Sequence, residues 1–176
     1  MEAASFASNA TGVRKDYLLG VLVVESNLGK YTGGCNWKQS RMNGTRLEYF
    51  KQIAKELDYD YTKLKVSCPP AGYKGTGGAM GVGQFMPDTW MAYKNSIASV
   101  TGHNPPDPWS LVDGVTAMAL KLSKVSGVID HKRSAEAKAY CVYLAGGNWI
   151  NYCDAKGVNY GGKVLYWADN YERLLD

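Results

Sequence analysis

The sequence predicts a mainly α protein, a single globular domain over residues 1–176 with about seven helices and little or no sheet. Three observations carry that expectation. Apolar residues recur at helical spacing through most of the chain, glycine and proline clusters fall between those stretches, and no stretch alternates cleanly between apolar and polar residues. A chain of 176 residues suits one well-cored domain and is short for two.

Taken in order, Glu2 to Asn9 reads as a short helix broken near Thr11 and Gly12. Arg14 to Ser26 is the second helix, stopped around Gly29. Its Tyr17–Val24 run is apolar all round, the pattern of a helix buried in a core, and it is too short to span a bilayer. Residues 33–44 are a loop by composition. Thr45 opens an amphipathic helix, Arg46 to Leu57, with Leu47, Phe50, Ile53, Ala54 and Leu57 on one face. Residues 59–73 are irregular, and the glycine-dense stretch Gly77–Gln84 reads as loop or short turns. Pro87 suits the first position of a helix running to about Val100, with Asp88 favourable in its first turn. Asn104-Pro-Pro-Asp-Pro108 is a rigid connector, with Asp107 as N-cap and Pro108 at the first position of the next helix, Trp109 to about Val125. Ser134 to Leu144 and roughly Gly162 to Leu174 complete the set.

The formal charge of +4 is mildly basic, with Lys and Arg scattered through helical stretches as on a solvated surface. No nucleic-acid motif, internal repeat, low-complexity tract or transmembrane segment is present in the sequence. Cys35, Cys68, Cys141 and Cys153 form no CxxC pair, and neither His103 nor His131 stands beside a cysteine, which argues against zinc. An even cysteine count in a Gly- and Tyr-rich chain points to disulfides and export. Three connectivities are possible. Cys35–Cys68 with Cys141–Cys153 is expected, because each closes a loop local to one lobe. No signal peptide follows Met1, so the chain reads as a mature or trimmed form.

Chemistry concentrates at two places. Glu25 is a lone carboxyl at the end of the apolar run, where burial and the negative helix end both favour the neutral acid and so prepare a proton donor. The competing reading of that residue alone is an inert carboxyl just past the core, beside Ser26 and Asn27. The second place is Gly77-Gly-Ala-Met-Gly-Val-Gly-Gln-Phe-Met-Pro87. It lacks the Gly-Lys-Ser/Thr ending of a phosphate loop, and its glycines permit close backbone approach around Gln84, a side chain with both donor and acceptor. Trp37, Tyr73, Trp90, Tyr93, Tyr143 and Trp149 are candidates to stack on sugar rings. A buried acid, a backbone-lined groove and abundant aromatics fit a polysaccharide cleft.

Glu25-Ser-Asn-Leu-Gly29, Gly78-Ala-Met-Gly-Val-Gly-Gln-Phe-Met-Pro87 and Ala139-Tyr-Cys-Val-Tyr-Leu-Ala-Gly146 resemble, in order, the three motifs of lytic transglycosylases. Gly-Gln-Phe-Met-Pro and Asp107-Pro-Trp-Ser-Leu-Val-Asp113 are most similar to the lytic transglycosylase B branch. The resemblance spans about residues 14 to 175 and implies a lysozyme-like fold, peptidoglycan glycan strands as substrate and no cofactor. It implies Glu25 as catalytic acid/base, Gln84 and Tyr143 as substrate contacts, and Ser26 and Gly81 as residues shaping the site. Phe85 and Met86 lie in the matched motif and are taken as substrate-facing, and Tyr160 matches the aromatic before the closing helix. Leu144 departs from the family, which has asparagine there. The calcium loop of some relatives is not apparent around Thr101 to Asp107, so no metal is expected. An exported monomer, periplasmic, wall-associated or extracellular, completes the expectation.

Two other readings compete. A hydrolytic muramidase resembling goose-type lysozyme needs a second carboxylate to activate water, and Glu48, Glu56, Asp58 and Asp60 are the candidates. All four read better as polar-face or turn residues, and Asp107 and Asp113 as helix-start residues. A non-catalytic peptidoglycan-binding protein of the same fold is the third reading, kept open by Leu144.

Overall fold

The apolar run begins the explanation of the fold, because it makes one helix the axis on which the others pack. The structure, a computed structural model, describes residues 1–153 and 159–175. Among them are α1 (Glu2–Thr11), α2 (Lys15–Ser26), α3 (Gly44–Glu56), α4 (Pro87–Thr101), α5 (Leu111–Leu122), α6 (Arg133–Ala145), the single-turn α7 (Ile150–Cys153) and α8 (Tyr160–Ala168). Short 3-10 turns follow at Gly146–Asn148 and Tyr171–Leu174. The only β pairing among the described residues is two isolated bridges, Cys35 with Val66 and Met80 with Phe85. The protein is mainly α, as the sequence predicts.

Tyr17, Leu18, Leu19, Val21 and Leu22 of α2 are buried, so this helix is enclosed on all sides as its unbroken apolarity requires. It packs against α8, α1 and α5, while α4 joins α5 to α3 and α6 lies along α8. Gly20 permits the closest of these approaches: a Cβ there would sit 2.6 Å from the Ala168 nitrogen and 2.7 Å from the Val164 oxygen of α8. Trp90 and Ile97 of α4, Val115 and Met118 of α5, and Tyr140 of α6 fill the rest of one apolar core. The Phe50–Ile53–Ala54 face of α3 is buried as its periodicity predicts.

Both expected disulfides form. Cys35–Cys68 spans 5.1 Å between Cα atoms and pins the irregular segment before the glycine stretch, and Cys141–Cys153 ties α6 to α7 across 5.7 Å. Two helices differ from expectation in where they begin or end. Helix α5 starts at Leu111, not Trp109, because Ser110 is its N-cap and accepts from the Asp113 amide, while Asp107 instead caps a turn through the Trp109 amide at 2.8 Å. The final helix starts earlier, with Asn159 capping the Gly162 amide at 2.7 Å, and stops at Ala168 rather than Leu174. Asn170 then donates to the Tyr166 carbonyl at 2.8 Å, closing the helix end before the last 3-10 turn. No helix among the described residues is long and apolar enough to cross a membrane.

Candidate active site

Helix α2 ends where its chain enters three successive left-handed residues, Asn27, Leu28 and Gly29. The Leu28 amide reaches back to the Leu22 carbonyl at 3.1 Å, a Schellman-type closure. Ser26 is buried and serves this turn: its hydroxyl donates to the Leu22 carbonyl at 3.2 Å and accepts from the Gly29 amide at 3.1 Å. Ser26 therefore fixes how the chain leaves Glu25 and does not itself line the cavity. Glu25, one residue earlier, does line it.

The glycine segment forms the opposite wall. Ser67 receives the Gly78 and Ala79 amides on its hydroxyl at 3.1 and 2.9 Å, drawing the segment onto the disulfide-pinned loop. Met80 and Phe85 then pair through both backbone groups and close a tight turn over Gly81–Gln84. Gly81 has φ of 62°, and a Cβ there would lie 1.7 Å from the Pro108 oxygen, so only glycine fits. Gln84 also takes a positive φ, 51°, and its amide donates to the Gly81 carbonyl at 2.8 Å. That anchors the side chain beside the cavity it lines, with the amide oxygen available to accept.

The cavity holds about 410 Å³. Glu25 of α2, Gln84, Phe85 and Met86 of the turn, Thr89 of α4, Lys121 of α5, and Tyr143 and Leu144 of α6 line it. Five of the expected site residues thus meet around one space: Glu25, Gln84, Phe85, Met86 and Tyr143. Gly81 shapes the wall from behind. Tyr160 lies at the start of α8 outside the lining, half-buried and close enough to Tyr140 to act on it electrostatically.

Glu25 is half-buried, with its carboxyl crowded by protein. Loss of water around that group pushes its pKa up to about 7, against the opposing pull of the Tyr140 hydroxyl and the Lys121 and Lys163 ammonium groups. Tyr140 donates its hydroxyl to Glu25 Oε1 at 2.8 Å. The phenol itself is held neutral, its pKa raised by burial first and by the Glu25 charge second. Tyr143, one turn along α6, stacks on Tyr140 at 6.4 Å between ring centroids and donates to the Gly83 carbonyl. The tyrosine that touches the acid is therefore Tyr140, whereas Tyr143 joins α6 to the glycine turn. Since the Tyr140 hydrogen bond favours ionised Glu25, Tyr140→Phe is expected to raise the Glu25 pKa above its value near 7. Carboxyl-selective ¹³C NMR titration would show the midpoint moving upward, and a downward or absent shift would refute it.

The other aromatic candidates separate. Trp90 is buried and packs edge-on against Phe85, as does Tyr93, so both support the turn rather than face the cavity. Trp37 packs with Tyr61, Tyr73 is exposed, and Trp149 carries Lys138 over its ring at 4.9 Å. The carboxylates weighed for a second catalytic role lie elsewhere. Glu48 pairs with Lys51, Glu56 with Lys94, and Asp60 with Thr62 and Lys63, while Asp58 borders a separate depression beyond α3. Asp113 is buried against His103 at 2.8 Å and accepts the Asp107 amide at 2.9 Å. Among the described residues, Glu25 is the one carboxylate lining the cavity.

The family described as Transglycosylase SLT domain matches residues 2–125. Among solved structures, the chain is similar to a 36 kDa muramidase/transglycosylase, at 25% identity and a TM-score of 0.54 over 71% of this chain and 41% of that one. It is similar to the Escherichia coli lytic transglycosylase SLT35, solved in complex with bulgecin A, at 26% identity and a TM-score of 0.52 over 71% of this chain and 40% of that one. The chain thus spans about two fifths of the length of these relatives. The fold of the soluble lytic transglycosylase SltB1 from Pseudomonas aeruginosa extends over 98% of this chain and 74% of that one, with a TM-score of 0.61 at 17% identity. No curated protein matches the chain.

Proposed function

The chain belongs to the transglycosylase SLT family, and from that premise we propose that it is a peptidoglycan lytic transglycosylase with Glu25 as its single acid/base. The observation that carries the reading is one carboxyl group, raised to a pKa of about 7 and, among the described residues, the one carboxylate in a cavity they otherwise line with uncharged side chains and one lysine. Neutral Glu25 donates its proton to the glycosidic oxygen between N-acetylmuramic acid and N-acetylglucosamine. The cationic centre that develops at the muramyl C1 is stabilised by the substrate's own acetamido group, so no second carboxylate is required. Glu25, now ionised and held by the Tyr140 hydroxyl, removes the proton of the muramyl C6 hydroxyl. That oxygen closes on C1 as a 1,6-anhydro ring, and no water is consumed.

A hydrolytic muramidase needs a carboxylate that activates water across the sugar. The commitments of Glu48, Glu56 and Asp60 to ion pairs and turns, and the place of Asp58 at a separate depression, weigh against it. The two disulfides suit an oxidising compartment, and we place the enzyme outside the cytoplasm, acting as a monomer on glycan strands. Mass spectrometry of muropeptides released from purified peptidoglycan tests the reaction. Products lighter by one water than hydrolytic muropeptides are expected. Ordinary reducing ends would replace this reading by the muramidase, and no release from several wall types would replace it by a binding protein.

A further inference from the structure

After its first turn helix α5 carries one charged residue, Lys121, and that side chain lines the same cavity as Glu25. Its ammonium donates to the Tyr143 carbonyl at 3.0 Å and lies 4.2 Å from the centroid of the Tyr143 ring and 5.6 Å from that of Phe85. An ammonium has three N–H donors, so two remain for something else. Three other half-buried cations lie against a carboxylate: Arg14 against Glu136, Lys94 against Glu56, Arg46 against Asp88. Lys121 is in no ion pair among the described residues. Burial here disfavours its charge, and the more distant Glu25 and Asp88 carboxyl groups offset only part of that cost, with the two aromatic faces close by. Leu144, lining the same cavity, offers no polar side-chain atom. The fold therefore keeps a costly cation with spare donors facing the space where substrate enters.

We propose that Lys121 recognises a carboxylate of the muramyl unit next to the bond that is cleaved. This rests on the reading of the site given above. The muramyl residue differs from N-acetylglucosamine by a lactyl ether, whose carboxyl is either free or amide-linked to a peptide stem bearing carboxylates of its own. A carboxylate is thus what separates a peptidoglycan strand from a neutral N-acetylglucosamine polymer of the same backbone. Lys121 reads that difference, while Glu25 and Gln84 act on features common to both sugars.

Binding in a Glu25→Gln background isolates recognition from chemistry. Affinities would be measured for stem-bearing strands, stem-free strands with free lactyl carboxylates, stem-free strands with those carboxyls methyl-esterified, and N-acetylglucosamine hexamer. Adding Lys121→Met is expected to weaken binding of the carboxylate-bearing strands about 10- to 100-fold and to leave the two neutral ligands unchanged, which also shows an intact fold. Lys121→Arg, which keeps the charge, is expected to retain most of the affinity. A loss confined to stem-free strands assigns the lactyl carboxylate, and a loss confined to stem-bearing strands assigns a stem carboxylate. Equal losses on charged and neutral ligands, or no loss on any, would overturn the proposal. Failure of the Glu25→Gln protein to bind any strand, with no anhydro product from the wild type, would overturn the underlying reading and this inference together.

Discussion

Glu25→Gln is expected to abolish release of anhydro-muropeptides, by at least about 10³-fold, while making the folded protein more stable at alkaline pH. The catalytic loss follows from economy of groups. General acid or base catalysis contributes about 10²–10⁴-fold, and in the proposed cycle Glu25 performs both steps, with no second cavity carboxylate among the described residues to substitute. Glutamine keeps the shape and still accepts the Tyr140 hydroxyl, so the site remains assembled. The stability gain follows from proton linkage. Folding raises the Glu25 pKa from 4.5 to about 7, so the folded state holds the proton more tightly than the unfolded chain. Below pH 4.5 the group is neutral in both states and imposes no penalty. As pH rises through about 7 the crowded carboxyl must ionise, and stability falls by roughly 3 kcal/mol relative to acid pH. Glutamine escapes that fall. Unfolding free energies from urea titration of wild type and Glu25→Gln should therefore coincide near pH 4 and diverge by about 2–3 kcal/mol near pH 9, the variant being the more stable. Coincidence at both pH values would show that the carboxyl is not desolvated, and the acid role would lose its physical basis.

The sequence shows this site in unequal parts, for reasons that lie in individual residues. Glu25 stood out because a single carboxyl closes an eight-residue apolar run, and a charge against a hydrophobic background is visible without coordinates. Gly81 and Gln84 were visible because the glycine spacing of their segment has little use except a tight turn. Lys121 carries the same kind of signal as Glu25, one charge at the end of the apolar α5, but a lysine at a helix C-terminus also has an ordinary explanation in the helix dipole. Tyr140 was hidden by Tyr143. The two are three residues apart and stack on one face of α6, so the motif led to the second while the hydroxyl that meets Glu25 belongs to the first. The helices themselves were legible from periodicity. Their ends were less so, because Ser110 competes with Asp107 to start α5 and because Asn170 stops a helix whose apolar pattern runs on. Ser26 illustrates the remaining limit: a motif position beside the acid serves the turn that holds the acid, and only its hydrogen bonds reveal that.

Arg14→Met is expected to destabilise the protein by about 3–5 kcal/mol, the largest loss anticipated from any single change distant from the cavity. Arg14 is the N-cap of α2, and its guanidinium donates to both carboxylate oxygens of Glu136 in the first turn of α6, each at 3.0 Å. The Glu136 side chain is fully buried. Tyr17, one turn into α2, donates to the Glu136 backbone carbonyl at 2.7 Å, so the same residue is gripped twice. Removing the guanidinium leaves a buried carboxylate without its partner, and that desolvation cost is what the single variant measures. Removing both charges is different: Arg14→Met with Glu136→Leu deletes the cost along with the attraction and is expected to recover most of the stability. The pair clamps the starts of the two helices whose later turns bring Glu25 and Tyr140 together. Urea midpoints decide the energetic claim, since a double variant no more stable than Arg14→Met would show that the loss came from packing rather than from a stranded charge. Activity decides the second claim. If the double variant regains stability but its Glu25 pKa or turnover stays displaced, the ion pair sets the register of α2 against α6 and thereby the 2.8 Å contact between acid and phenol. If both recover, apolar packing alone holds that register, and the charges are replaceable.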